Sequence, residues 1–136
     1  MNFKLLLPLL VFSQFVFAHG GDKPGPHGGF VQMPGAFHTE LIPVGKRQIK
    51  VYLLDINFGA PTVSGASLDI SVPEKGKATC KILKDYFLCS LPNGTDLSKK
   101  GTLLVKAKRE NMEGNEVIYR LPLKFEQVYN KHASHN

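Results

Sequence analysis

Cys80 and Cys89 stand at equal distances from the dipeptide Lys84-Asp85, inside two short runs, Thr79 to Leu83 and Tyr86 to Ser90, that read as strands. If Lys84-Asp85 is a two-residue hairpin loop, Leu83 faces Tyr86. Counting outward, Cys80 then faces Cys89 at a pair that exchanges no backbone hydrogen bonds. Cα atoms at such a pair lie about 4.5 Å apart, within reach of a disulfide. The bridge would be a structural staple rather than a catalytic dithiol. Two free buried thiols or a cysteine metal site are the alternatives, and a lone pair of cysteines gives the latter little to build on.

A disulfide needs an oxidising compartment, and the N terminus reads as an export signal. Lys4 supplies its positive charge, Leu5 to Phe17 an apolar run broken by Pro8, Ser13 and Gln14, and Val16-Phe17-Ala18 a cleavage site. The run is shorter than the roughly 20 residues that span a bilayer, so residues 1–18 are expected to be removed rather than retained as an anchor. No cysteine lies near the junction, which argues against a lipoprotein. The expected location is the periplasm or outside the cell, with no membrane insertion after cleavage.

The rest of the chain is long enough for one domain with a single core. A net charge of +6 comes from lysines interspersed with Asp and Glu, without a tight basic cluster. In an exported chain this argues against nucleic acid as a partner. The charge fits solubility or contact with an anionic cell surface.

Residues 19–35 are rich in Gly and Pro and show no apolar periodicity, so they read as an irregular arm. From 36 to 129 the pattern is β throughout. Phe37 to Val44, Gln48 to Asp55 and Val63 to Val72 read as strands, followed by the cysteine hairpin, Gly101 to Glu110 and Glu116 to Val128. Gly45-Lys46-Arg47, Gly59-Ala-Pro61, Pro92 to Asp96 and Asn111 to Asn115 supply turns. Pro122 points to an edge position or a bulge in the last strand. Residues 130–136 form a polar tail. About seven short strands and no amphipathic helix imply an all-β fold, an antiparallel β-sandwich of immunoglobulin-like type, with a small closed barrel as the alternative. Tryptophan is absent, so the antibody-type core signature is missing.

The histidines carry the chemistry. After cleavage at Ala18, His19 would offer a free α-amine and a ring nitrogen, two ligands for one ion. His27 sits between Pro26 and Gly28-Gly29, where the backbone is free to approach a ligand. His38 shares a strand face with Glu40, about 7 Å away, close enough to share a ligand or a proton. A plain hinge at His27 and a solvent-facing histidine–glutamate pair at His38 and Glu40 are the bland readings. His132 and His135 in the tail add little. Imidazole suits copper, zinc, nickel and iron, and tetragonal nitrogen sites favour Cu(II). The candidate metal set is therefore His19, His27, His38 and Glu40, with Glu40 a ligand or a partner that fixes a histidine tautomer.

The segment from His27-Gly-Gly through Phe37-His38-Thr-Glu40-Leu-Ile resembles a signature of small bacterial periplasmic proteins, HGPHGG followed by FHxEL. Related segments occur in the periplasmic adaptors of heavy-metal efflux pumps. The resemblance covers residues 19 to about 56 and implies a small β-rich domain handling copper, cobalt, zinc or cadmium, with His27, His38, Glu40 and Gly28-Gly29 at the motif positions. The chain has no long helical hairpin of the adaptor kind, so the resemblance implies a free-standing relative. A second, architectural resemblance rests on His19 alone, to small copper-resistance proteins with a terminal histidine on a β-sandwich.

The expected function is a periplasmic transition-metal protein, for copper first, that buffers the ion or delivers it to a heavy-metal efflux system. The alternative is a periplasmic interaction or assembly module without metal chemistry, using edge strands to recruit peptides. No nucleophile elbow, HExxH motif or paired carboxylates appear, so an enzyme is not expected.

Overall fold

The computed structural model describes residues 23–125; the expected signal segment, His19, His132 and His135 lie outside the described residues. Ten strands follow in chain order. They are β1 (Phe30–Gln32), β2 (His38–Val44), β3 (Gln48–Leu54), β4 (Ser67–Val72), β5 (Gly76–Lys77), β6 (Thr79–Leu83), β7 (Tyr86–Ser90), β8 (Gly101–Arg109), β9 (Met112–Glu113) and β10 (Val117–Leu121). Among the described residues there is no helix. One antiparallel sheet has the order β1-β2-β3-β7-β6, and the other has β10-β8-β4-β5 with β9 paired to β8. The two pack face to face as a β-sandwich.

Period-two alternation builds the core. On β3, Ile49, Val51 and Leu53 are fully buried between the sheets, while Lys50 and Tyr52 turn to the outer face. On β8, Leu103, Val105 and Ala107 do the same from the opposite sheet. The β2–β3 turn is opened by Gly45, whose φ of 71° suits a residue without a Cβ. It sets the register that places Glu40 opposite Tyr52 and His38 opposite Leu54.

Seven of the ten strands have five or more residues, which accounts for the count read from the sequence. The three others are two or three residues long and escape any periodicity argument. One of them, β1, lies inside the run read as an irregular arm and pairs with β2 through Phe30–Leu41, Val31–Glu40 and Gln32–Thr39. Two spans are shorter than read by more than one residue. β4 begins at Ser67 because a turn at Ser64-Gly65 precedes it. β10 ends at Leu121, before Pro122, which has no amide to donate to the ladder.

Cys80 and Cys89 are paired across the β6–β7 hairpin and form the disulfide, with their Cα atoms 4.0 Å apart. Polar contacts tie the two sheets along the β1–β10 side. The Gln32 amide donates to the Ile118 carbonyl. Thr39 Oγ1 and Tyr119 Oη share a 2.6 Å hydrogen bond, and the phenol also donates to the Thr39 carbonyl at 3.1 Å. Burial pushes the Tyr119 phenol far above its ordinary range, against the lowering effect of its hydrogen bonds to Thr39 and Gln32. On the opposite side the chain leaves one sheet and enters the other at Ala78, whose amide donates to Ile70 O at 2.8 Å.

Candidate functional site

Residues 25 to 29 fold back over the outer face of β2 as a tight three-residue loop. The Gly28 amide bonds to the Gly25 carbonyl and the Gly25 amide to the Gly29 carbonyl, each at 2.9 Å. Gly28 adopts a φ of 77°. This is the pattern of a turn with proline at its second position, closed by a left-handed glycine. A Cβ at Gly25 would lie 2.6 Å from Val31 Cγ2 and closer still to the Glu40 carboxylate. One at Gly29 would lie 2.7 Å from the Leu41 carbonyl. Glycine at these two places is what lets the loop lie flat on the strand.

The loop delivers three donors to one carboxylate. Glu40 Oε2 accepts the backbone amides of His27 at 2.9 Å and Gly29 at 3.0 Å, and Oε1 meets His27 Nδ1 at 2.6 Å. Glu40 is completely buried, whereas a third of the His27 side chain is exposed. A buried carboxylate is tolerable only with such partners, and the two backbone amides form a small anion-binding nest for it. The His27 ring lies flat on Tyr52, with ring centroids 3.7 Å apart and planes 3° from parallel. Tyr52 stands directly across from Glu40, so ring, carboxylate and phenol form one packed unit. Desolvation, and then the nearby Asp85, Tyr86 and Glu40, hold the Tyr52 phenol above its ordinary value. It stays a neutral phenol rather than a phenolate ligand.

Holding Nδ1–H on a carboxylate leaves the lone pair of a neutral imidazole on Nε2, the other ring nitrogen. The same carboxylate–histidine arrangement orients metal-ligating histidines generally. Both oxygens of Glu40 are engaged, so it acts on His27 rather than facing an ion itself.

His38 is fixed in a parallel way. Its Nδ1 donates to the Asp55 carbonyl at 3.0 Å, and its ring stacks on Phe58 with centroids 3.9 Å apart. A carbonyl only accepts, so Nδ1 carries a proton, and the neutral ring has its lone pair on Nε2. Phe58 reaches this position from a left-handed backbone with a φ of 62°, a rare state for a bulky residue. The loop that imposes it is tightly bound. Asp55 Oδ1 accepts the amides of Asn57 and Gly59 at 2.9 and 2.8 Å, and Arg109 donates to the Ala60 carbonyl at 2.6 Å.

The structure therefore brings His27 and Glu40 into contact and places His38 two residues from Glu40 on the same outer face of β2. The solvent-facing reading of His38 and Glu40 is overturned: His38 is 6% exposed and Glu40 not at all, because loops 25–29 and 55–60 cover them. Among the described residues no three His, Cys, Asp or Glu side chains are placed to hold a metal ion. His19 lies outside the described residues. Tyr52, Asp55 and Phe58 were not singled out from the sequence. Tyr52 was accessible to it, because pairing Val44 with Gln48 across the 45–47 turn sets Glu40 opposite Tyr52. Set against protein-family models, curated proteins and solved structures, the chain matches none.

Proposed function

We propose that this is an exported, periplasmic transition-metal-binding protein, for copper first and for zinc, cobalt or nickel otherwise. It buffers the ion or passes it to a heavy-metal efflux system and catalyses no reaction. The observation that carries the reading is the engagement of His27 Nδ1 by a buried carboxylate in a side chain one-third exposed, which leaves Nε2 free of that carboxylate as a preoriented donor. His38, with Nδ1 held by a carbonyl, supplies a second imidazole on the same face. The remaining donors come from His19, whose α-amine and ring become available after cleavage at Ala18. It lies four residue steps from Lys23, a reach of at most about 14 Å. A nitrogen-rich set of this kind suits Cu(II). The metal competes with protons for every one of these nitrogens, so affinity falls on acidification.

We also read the sandwich as immunoglobulin-like. Its seven longer strands run in the order β2-β3-β7-β6 in one sheet and β10-β8-β4 in the other. That matches the ABED and GFC arrangement of constant-type domains. The fold alone says nothing of the ligand.

The test is calorimetric titration of the mature, untagged protein with Cu(II). One ion is expected to bind per chain. His27→Ala should lower the affinity at least tenfold, His38→Ala by less, and a single residue added before His19 should also weaken it. Wild-type affinity in His27→Ala would reduce the His27–Glu40 pair to a latch that holds the arm.

A further inference from the structure

Among the described residues β6 pairs only with β7 and is the open edge of its sheet. The two residues that close a two-residue hairpin exchange hydrogen bonds, here Leu83 and Tyr86. Bonded pairs then alternate outward to Lys81–Leu88 and Thr79–Ser90. The amides and carbonyls of Cys80 and Ile82 therefore point away from β7, along an open edge.

Two further observations say what would fit there. Ile82 is paired with Phe87, so both side chains point toward the gap between the sheets. Phe87 is 6% exposed but Ile82 is 55% exposed. The facing sheet ends at β5, two residues long, and leaves Ile82 uncovered. The edge is also basic: residues 74 to 85 carry Lys75, Lys77, Lys81 and Lys84 against Glu74 and Asp85. A second copy of this chain pairing edge to edge, with Cys80 opposite Ile82, would set Lys81 directly against its own copy at a close, non-hydrogen-bonded pair. Like charges so placed repel. An acidic side chain at that point would attract. The disulfide to fully buried Cys89 holds Cys80 in place, so the edge is already ordered before a partner arrives.

We propose that β6 accepts, by strand addition, an extended peptide in which an acidic residue lies between two apolar ones. The acid pairs with Lys81, one apolar residue covers Ile82, and backbone bonds form to Cys80 and Ile82. This surface is independent of the metal reading.

The test is an NMR titration of the 15N-labelled protein with a capped hexapeptide of alternating valine and glutamate, against one of alternating valine and lysine. The glutamate peptide is expected to shift the amides of β6 and to slow exchange at Cys80 and Ile82 at least tenfold. Ile82→Pro removes one outward amide without touching the β6–β7 bonds and should abolish the response. Lys81→Glu, which leaves the backbone intact, should transfer the preference to the lysine peptide. The proposal is overturned by an equal response to both peptides, a response that survives Ile82→Pro, or none at millimolar peptide. A concentration-dependent dimer protected at β6 would likewise overturn it and assign the edge to a second copy.

Discussion

Replacing Glu40 by glutamine separates the two duties of that carboxylate, holding the arm and orienting His27. The glutamine oxygen, placed where Oε2 now lies, still accepts the His27 and Gly29 amides, which sit 2.9 and 3.0 Å away. Its amide nitrogen then faces His27 Nδ1, where Oε1 now makes a 2.6 Å contact. Two N–H groups cannot share that position, so the imidazole must adopt its other tautomer. Nδ1 then accepts and Nε2 carries the proton. Neutral bonds replace charge-assisted ones of roughly twice the strength, so the fold should lose about 1–3 kcal/mol and survive. Metal affinity should fall more conspicuously. Loss of an orienting partner of this kind costs about 10- to 100-fold, or ~1.4–2.8 kcal/mol. Calorimetry with Cu(II) at fixed pH gives the affinity, and the 15N shifts of the His27 ring give the tautomer. If Glu40→Gln reverses the tautomer but binds Cu(II) within twofold of wild type, Nε2 of His27 is not a ligand. An unchanged tautomer would refute the hydrogen-bond reasoning itself.

Two further outcomes concern the scaffold. Removing the disulfide as Cys80→Ala with Cys89→Ala opens a loop with a sequence separation of 9. Chain-entropy reasoning puts the loss at about 2.5 kcal/mol in urea unfolding, and a loss under 0.5 would mean the hairpin is already constrained in the unfolded chain. The Tyr119 phenol is raised in the fold by burial. Its unfolded counterpart ionises near pH 10, so its contribution is complete below that pH and lost as the pH rises above it. Wild type should therefore lose stability relative to Tyr119→Phe with a slope approaching ~1.4 kcal/mol per pH unit above pH 10. Parallel stability curves for the two proteins through pH 11 would contradict this.

What the sequence made legible was whatever depended on alternation and turn chemistry. β2, β3 and the cysteine hairpin follow from residues two apart on one face, and the disulfide follows from counting outward from Lys84-Asp85. β1 was missed because three residues after Gly28-Gly29 carry too little pattern, and its pairing is decided by β2. The shared face of His38 and Glu40 was readable. Their burial was not, because it depends on loops that return from elsewhere in the chain. The contact of His27 with Glu40 spans thirteen residues. It exists because Gly25, Gly28 and Gly29 allow a backbone path that no periodicity encodes. Phe58 could not have been placed at all, since a left-handed φ is the last conformation its side chain suggests.

One tripeptide joins the candidate site to the interior. Thr39 points inward, between His38 and Glu40, and its hydroxyl meets Tyr119 from the other sheet. For the sheets to slide past one another, that contact must break and strand a phenol in a dry interior. Strand alternation thus hands the rigidity of the interior to the two outward neighbours, which inherit a mount without a hinge. Any ion or partner that engages His38 meets a side chain mounted on that strand, with His27 held over it by the 25–29 loop.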